Sequence, residues 1–279
     1  MTVTVATHLA AGPDAAGFAA RLSASVARRV DTLEESADAM DFAFSTAILA
    51  LQAHCVADPE ADTIETWQAT VTAMQLGSAL FAVTGTREGI VECFTSGRTR
   101  TLKAIGPQPF ADAGNWLLAY WLAVICREQR RMTELSEVPL ERLRSADDSW
   151  VETLQSFWLR RDDLRTHLVR AVDLSAPDQA RVIDAEEMGK LRYPPIMMLY
   201  RYLRNDAAGF NEALADAVRW HKEYWTADED RAHNILGVVA IAPLAIACLA
   251  KANGIPVEVE TDHLPQALLD FAWRGEFDA

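Results

Sequence analysis

The chain has 279 residues, half of them hydrophobic and about a quarter charged, an ordinary composition for a folded globular protein and enough for a substantial core. Its formal charge is −14 and unevenly spread: residues 1–80 carry 3 basic and 10 acidic side chains, 81–205 carry 18 and 17, and 206–279 carry 5 and 13. With no net positive field to attract phosphates, direct nucleic-acid binding is disfavoured, whereas a basic protein partner would suit both acidic ends; solubility alone also accounts for such a charge.

Met1 to Ala11 lacks the basic start and apolar core of a signal peptide. Helical periodicity then predicts a helix over Phe18 to Val30, with Phe18, Leu22, Val26 and Val30 on one face, and a second over Leu33 to Val56. A third begins after Asp62 or Thr63, where Thr63 offers a cap before a stripe through Val71, Met74 and Leu80. The pattern next changes to a hairpin, Gly89–Phe94 and Thr99–Ile105 around Thr95-Ser96-Gly97-Arg98, closed by Gly106-Pro107-Gln108-Pro109. Helices resume with one long segment from Ala111 to Arg131, its last turn carrying Arg127, Arg130 and Arg131.

Further helices are expected over Asp147–Arg161, over Leu164–Val172 and after Pro177, with Tyr193-Pro194-Pro195 separating these from Ile196–Arg204. Helices from about Ala208 to Trp225 and from Ala232 to Lys251 complete the body. The second contains a 16-residue run without a charge, Ile235 to Ala250; it is too short to span a bilayer and carries Pro243, so a buried helix is expected. Gly254 is placed to cap it, and Pro256 prevents continuation into the alternation up to Glu260. No linker divides the chain. The expected architecture is all-α, a single multi-helix domain over 1–279 of packed antiparallel helices with one small β-hairpin insertion near 89–105.

Catalytic patterns fail on spacing. Asn205-Asp206-Ala-Ala-Gly209 begins like the second magnesium motif of terpene-cyclase-like proteins, but its acid would fall on Ala213, and Glu212 lies about 100° away around a helix. Asp147-Asp148 and Asp162-Asp163 lack a third acid, with Val151 and Thr166 in its place. Asp230-Arg-Ala-His233 and His221-Lys-Glu-Tyr224 do not form the paired motifs of di-iron bundles. No nucleophile elbow, phosphate loop or dinucleotide glycine pattern occurs. The six histidines, at 8, 54, 167, 221, 233 and 263, are scattered, and His54 next to Cys55 cannot form a nucleophile–base pair on a helix. Cys55, Cys93, Cys126 and Cys248 lie 38, 33 and 122 residues apart in apolar surroundings, which suits neither a zinc site nor a disulfide framework and points to a reducing cytoplasm. Trp220, His221, Tyr224 and Trp225 read either as core packing or as an aromatic anchor in an interface.

Several ordered segments resemble the bacterial immunity protein 49 family: Gly106-Pro-Gln-Pro-Phe-Ala-Asp-Ala-Gly-Asn-Trp116, Trp121-Leu-Ala-Val-Ile-Cys-Arg127, Tyr193-Pro-Pro-Ile196, Gly209-Phe-Asn-Glu-Ala213, His221-Lys-Glu-Tyr-Trp225, Pro243-Leu-Ala-Ile-Ala-Cys-Leu249, Gly254-Ile-Pro-Val-Glu-Val-Glu260 and Leu264-Pro265. The resemblance runs through most of the chain and is densest in its last third. It implies an all-α, non-enzymatic immunity protein of a polymorphic toxin system, without a cofactor, whose partner is a cognate toxin bound directly and stoichiometrically. It carries no functional residue onto this sequence.

Charge then suggests a basic toxin domain such as a nuclease. Asp228, Glu229, Asp230, Glu258, Glu260 and Asp262 are the candidate contacts, because they crowd loop or strand positions beside a buried helix. Ordinary solvated charge is the alternative for each. Two other classes stay open: a helical metal-dependent enzyme with an acidic pocket, and a general helical protein-interaction scaffold.

Overall fold

A computed structural model describes residues 3–143, 149–175 and 184–273, and these residues form an all-α architecture with only small strands. A strand, β1 (Val3–Val5), precedes α1 (Ala15–Thr32), α2 (Met40–Ala57) and α3 (Ile64–Thr84). The hairpin β2 (Ile90–Thr95) and β3 (Arg98–Lys103) follows, then α4 (Ala113–Ile125), α5 (Gln129–Ser136), α6 (Ser149–Trp158) and α7 (Leu164–Leu174). The last third holds α8 (Ala185–Glu187), α9 (Tyr193–Leu203), α10 (Ala207–Trp225), α11 (Glu229–Ala232), α12 (Ile241–Ala252), β4 (Val259–Thr261) and α13 (Gln266–Asp270). The helix expected after Pro177 and the acids Asp147 and Asp148 lie outside the described residues.

Local chemistry explains several boundaries. Thr63 caps α3 by accepting the Thr66 amide, and Asp58 gathers both threonine hydroxyls with the amides of Asp62 and Thr63. Burial alone would raise the Asp58 pKa, but these donors outweigh it and hold the carboxyl below its ordinary value. The hairpin pairs Ile90 with Lys103 through Thr95 with Arg98, leaving a two-residue turn in which Ser96 (φ 51°) and Gly97 (φ 79°) are both left-handed. At the end of α12 the Gly254 amide bonds to Lys251 O and the Ile255 amide to Ala250 O, with Gly254 at φ 82°, the paired bonds that close a helix on a glycine.

Three expectations are corrected, and one left open between loop and strand is resolved. The segment Ala111–Arg131 is two helices, not one. Arg127 turns left-handed (φ 54°) between α4 and α5, and its guanidinium, lying over the Phe271 ring, donates to Leu268 O (2.9 Å) and Leu269 O (2.8 Å) at the end of α13. No glycine or proline announces that break; a distant carbonyl pair holds it.

The segment Ala232–Lys251 is also broken, into α11, a 3₁₀ turn Ile235–Gly237 and α12. Tyr193-Pro194-Pro195, expected as a separator, instead forms the first turn of α9. A π-helical turn, Met188–Arg192, runs directly into it, with the Tyr193 amide bonded back to Met188 O, and this wider turn accommodates residues that lack an N–H. Finally, the alternation ending at Glu260 becomes β4, which pairs in parallel with β1 (Val3↔Val259, Val5↔Thr261), a second small sheet that joins the two ends of the described chain.

One continuous apolar cluster runs from Val5 to Leu269, with Phe44, Trp67, Trp116, Tyr120 and Phe210 wholly enclosed. Helices α2, α3 and α4 meet so closely at Gly77 that an added Cβ would lie 2.8 Å from the Ala119 Cβ and 2.9 Å from the Phe44 ring. Two stretches, Ala37–Ala57 and Ile235–Ala252, are long and apolar enough to cross a membrane by composition, and most of each is buried inside the fold. The second exceeds the charge-free run on which the sequence argues against a span, but it is interrupted at residues 238–240.

Candidate functional site

Helix α10 organises the site. Asp206 caps it, accepting the Gly209 amide (3.0 Å) and Arg201 Nη1 (3.0 Å), while Asn205 adopts the left-handed conformation (φ 53°) that ends α9. The Asn205-Asp206 pair that began a magnesium motif in the sequence thus closes one helix and opens the next. Phe210, Leu214, Ala217, Val218 and His221 form the buried face of α10.

That face packs on the link between the 3₁₀ turn and α12. There each exposed backbone group is taken by a side chain or distant backbone: His221 Nε2 donates to Gly237 O (2.8 Å), and His263 Nδ1 to Val238 O (2.8 Å). Gln52, 1% exposed, bonds Val239 twice, and the Ala240 amide donates to His263 O. A helix would have satisfied these groups internally; here α2, α10 and residue 263 do so, which is why the apolar run can open.

Three of the scattered histidines meet at this link. His263, wholly buried, stacks on His8 at 5.7 Å between ring centroids and meets the edge of His221 at 5.1 Å. Burial, followed by repulsion from His263 and His8, drives His221 down to about 3; burial and then Lys222 lower His8, and burial, His8 and Lys222 lower His263. All three are neutral at pH 7. Sequence spacing gives no hint of this cluster.

Beside it lies a cleft of about 510 Å³ between α4, the π-helical turn, α9, α10 and the 236–243 link. Trp121, Trp150, Leu117, Pro194 and Pro195 give it apolar walls, and Tyr224 and Trp225 also line it. Trp225 fits against Gly237, where an added Cβ would lie 2.3 Å from the indole, and its Nε1 is buried without a hydrogen-bond partner among the described residues. Within the segment His221–Trp225, His221 is buried, and Tyr224 and Trp225 are half-buried and line the cleft.

Charge rings this mouth in pairs. Arg192 meets Glu187 (3.0 Å); Lys190 meets Glu186 (3.2 Å) and Glu223 (3.7 Å). Arg231 meets Glu186 (2.9 Å) and Asp228 (3.0 Å) while lying over the Tyr224 ring. On the facing wall Asp112 caps α4 through the Asn115 amide (2.8 Å) and makes no ion pair among the described residues. Burial, then the charge of Asp112, raises the Asp41 pKa from its ordinary value.

The six candidate contacts fall into two groups. Asp228 caps α11 through the Arg231 amide (2.8 Å), and Glu229 and Asp230 are exposed beside it, near the cleft. Glu258, Glu260 and Asp262 line the β4 segment. The Glu258 amide is held by Asn211 near the start of α10, Glu260 is exposed, and Asp262 accepts the Thr7 amide (3.1 Å). At 1.5 Å per residue, about 20 Å of α10 separates Asn211 from the end of the helix where the first group sits.

The remaining polar candidates have local partners. His54 Nε2 meets Ser23 Oγ (2.8 Å) and ties α2 to α1, and His167 lies between Glu152 and Asp163. All four cysteines are free and buried; burial pushes Cys93 and Cys248 up to about 11 and Cys126 up to about 12, far from a thiolate at neutral pH. Among the described residues no three His, Cys, Asp or Glu side chains are arranged to hold a metal ion.

Among family models, the one described as Immunity protein 49 matches residues 58–268. No curated protein and no solved structure matches the chain.

Proposed function

The chain belongs to the immunity protein 49 family, and on that premise we propose that it neutralises a cognate toxin of a bacterial polymorphic toxin system by direct, stoichiometric binding. The family match over residues 58–268 carries this reading, and the family implies a non-enzymatic role. Protection then depends on occupying or covering the toxin's working surface in the cytoplasm of the producing cell, without a cofactor.

The acidic balance, 40 acidic against 26 basic residues, supports a basic partner, such as a domain that itself acts on nucleic acid. Asp228, Glu229, Asp230, Glu258, Glu260 and Asp262 are the proposed contacts. Glu229, Asp230, Glu258 and Glu260 are exposed and make no ion pair among the described residues, so they are free to meet a partner's cations. Asp228 and Asp262 already serve internal bonds and would contribute mainly through the field.

Co-expression with the toxin-like product of the adjacent gene tests this reading. Growth rescue, a 1:1 complex from the purified proteins and association that slows as salt is raised are the expected results. Failure of the wild-type chain to rescue or bind that product would sink it. Reversing the charges of the four free acids should weaken binding; unchanged binding would move the contact surface elsewhere.

A further inference from the structure

Several clefts open outside the core among the described residues. One lies between the hairpin and α5, and Arg131 bridges it by donating to Phe94 O. A second, between α1 and α2, holds the Ser23–His54 bond that joins those helices. In these two, Arg131 and the Ser23–His54 pair tie the walls together. The cleft at Trp225 differs: aromatic rings wall it, and Asp112 lines it with no ion pair among the described residues.

We propose that this cleft takes a cationic side chain, arginine or lysine, presented by an extended segment of the toxin. The inference rests on the immunity reading and specifies its contact. Charge complementarity selects the occupant. Among the described residues the cations at the mouth, Lys190, Arg192 and Arg231, are already paired with carboxylates, whereas Asp112 lines the cleft without an ion pair and Asp41 lies within its electrostatic reach. An incoming cation would relieve that repulsion.

The walls suit the rest of such a side chain. Its aliphatic stem would lie against Trp121, Trp150 and the Pro194–Pro195 turn, leaving the charged end beside Asp112 and the aromatic faces. An anionic or purely apolar occupant would leave the Asp41–Asp112 repulsion in place.

The test uses the intact ¹⁵N-labelled chain with acetyl-arginine methylamide and its uncharged isostere, acetyl-citrulline methylamide, read at the tryptophan indole N–H signals. The arginine probe should shift the Trp225 and Trp121 signals saturably and bind about fivefold more tightly than citrulline. Asp112→Asn should remove most of that preference while keeping the α4 cap, since asparagine caps as well as aspartate. Asp41→Asn is the second variant, away from the cap. Absence of shifts at these indoles, or equal affinity for the two probes, overturns the proposal.

The same variants are then mixed with the product of the adjacent gene. Binding weakened about tenfold with an unaltered thermal transition supports the cleft as the contact. Wild-type affinity in both variants overturns it and leaves the immunity reading standing. If the wild-type chain does not bind that product, the immunity reading fails, and the claim for a toxin segment fails with it; probe binding would then survive only as a cation site.

Discussion

At the scale of single residues, His221 is the side chain with the most to lose from a change of solution. It is 7% exposed, donates Nε2 to Gly237 O and faces the His263 ring, so protonation would place a charge in an enclosed site beside two other imidazoles. Its folded pKa of about 3 lies below the ordinary 6.5. The neutral form is therefore the folded form: the stability tied to it is complete above about pH 6.5 and is lost as pH falls from there toward 3. At 1.36 kcal/mol per unit, acidification to pH 5 should remove about 2 kcal/mol through this residue alone. His8 and His263 shift in the same direction and add to the loss. Denaturant unfolding of the wild type and of His221→Gln, whose amide can still donate to Gly237 O, should show a shallower decline for the variant between pH 7 and 5. Identical slopes would mean that protonation elsewhere governs acid sensitivity.

At the scale of elements, two glycines separate strain from crowding. Gly254 closes α12 at φ 82° with nothing within 4 Å of an added Cβ, so Gly254→Ala should cost about 1–2 kcal/mol from the left-handed backbone alone. Gly237 has ordinary backbone geometry, but its added Cβ would meet the Trp225 ring at 2.3 Å, so the cost of Gly237→Ala should depend on that ring. In a Trp225→Leu background the penalty should shrink by about 1 kcal/mol or more in a double-mutant cycle. Strict additivity would show that the two elements do not meet there. The contrast also marks what was legible beforehand. The Gly254 cap, the Thr63 cap and the Ser96-Gly97 hairpin follow from neighbours in sequence, and all three form. The break at Arg127 depends on carbonyls 141 and 142 residues away, and the opening of the apolar run depends on Gln52, 187 residues away. For the site, the sequence left Tyr224 and Trp225 between core packing and an aromatic anchor, and the cleft they line and the meeting of His8 with His263 exist only after folding.

At the scale of the whole molecule, the family match begins at Asp58, yet the core does not. Val30, Leu33, Met40, Phe44 and Leu51, all preceding the match, are each no more than 1% exposed. Gln52 holds the Val239 backbone by two bonds, and β1 pairs with β4 near the other end of the chain. Burying one large apolar side chain contributes about 1.5–3 kcal/mol, and a domain's net stability is only about 5–15 kcal/mol. Losing five such side chains would remove about 7–15 kcal/mol, as much as a domain's whole net stability, quite apart from the apolar faces of α3, α4 and α12 that would be uncovered. A fragment spanning residues 58–268 should accordingly fail to fold, shown by weak dispersion of its amide signals and no cooperative melt. The full chain should unfold in one transition that coincides by far-UV circular dichroism and tryptophan fluorescence. A folded 58–268 fragment, or two separated transitions in the full chain, would make the N-terminal helices a separate unit. The cleft and the Gln52 clamp would then have to be held by the matched region without them. If instead the chain melts as one unit, a toxin segment seated in the cleft touches walls from α4, α9, α10 and α12 at once, and binding should raise the melting temperature of the entire molecule.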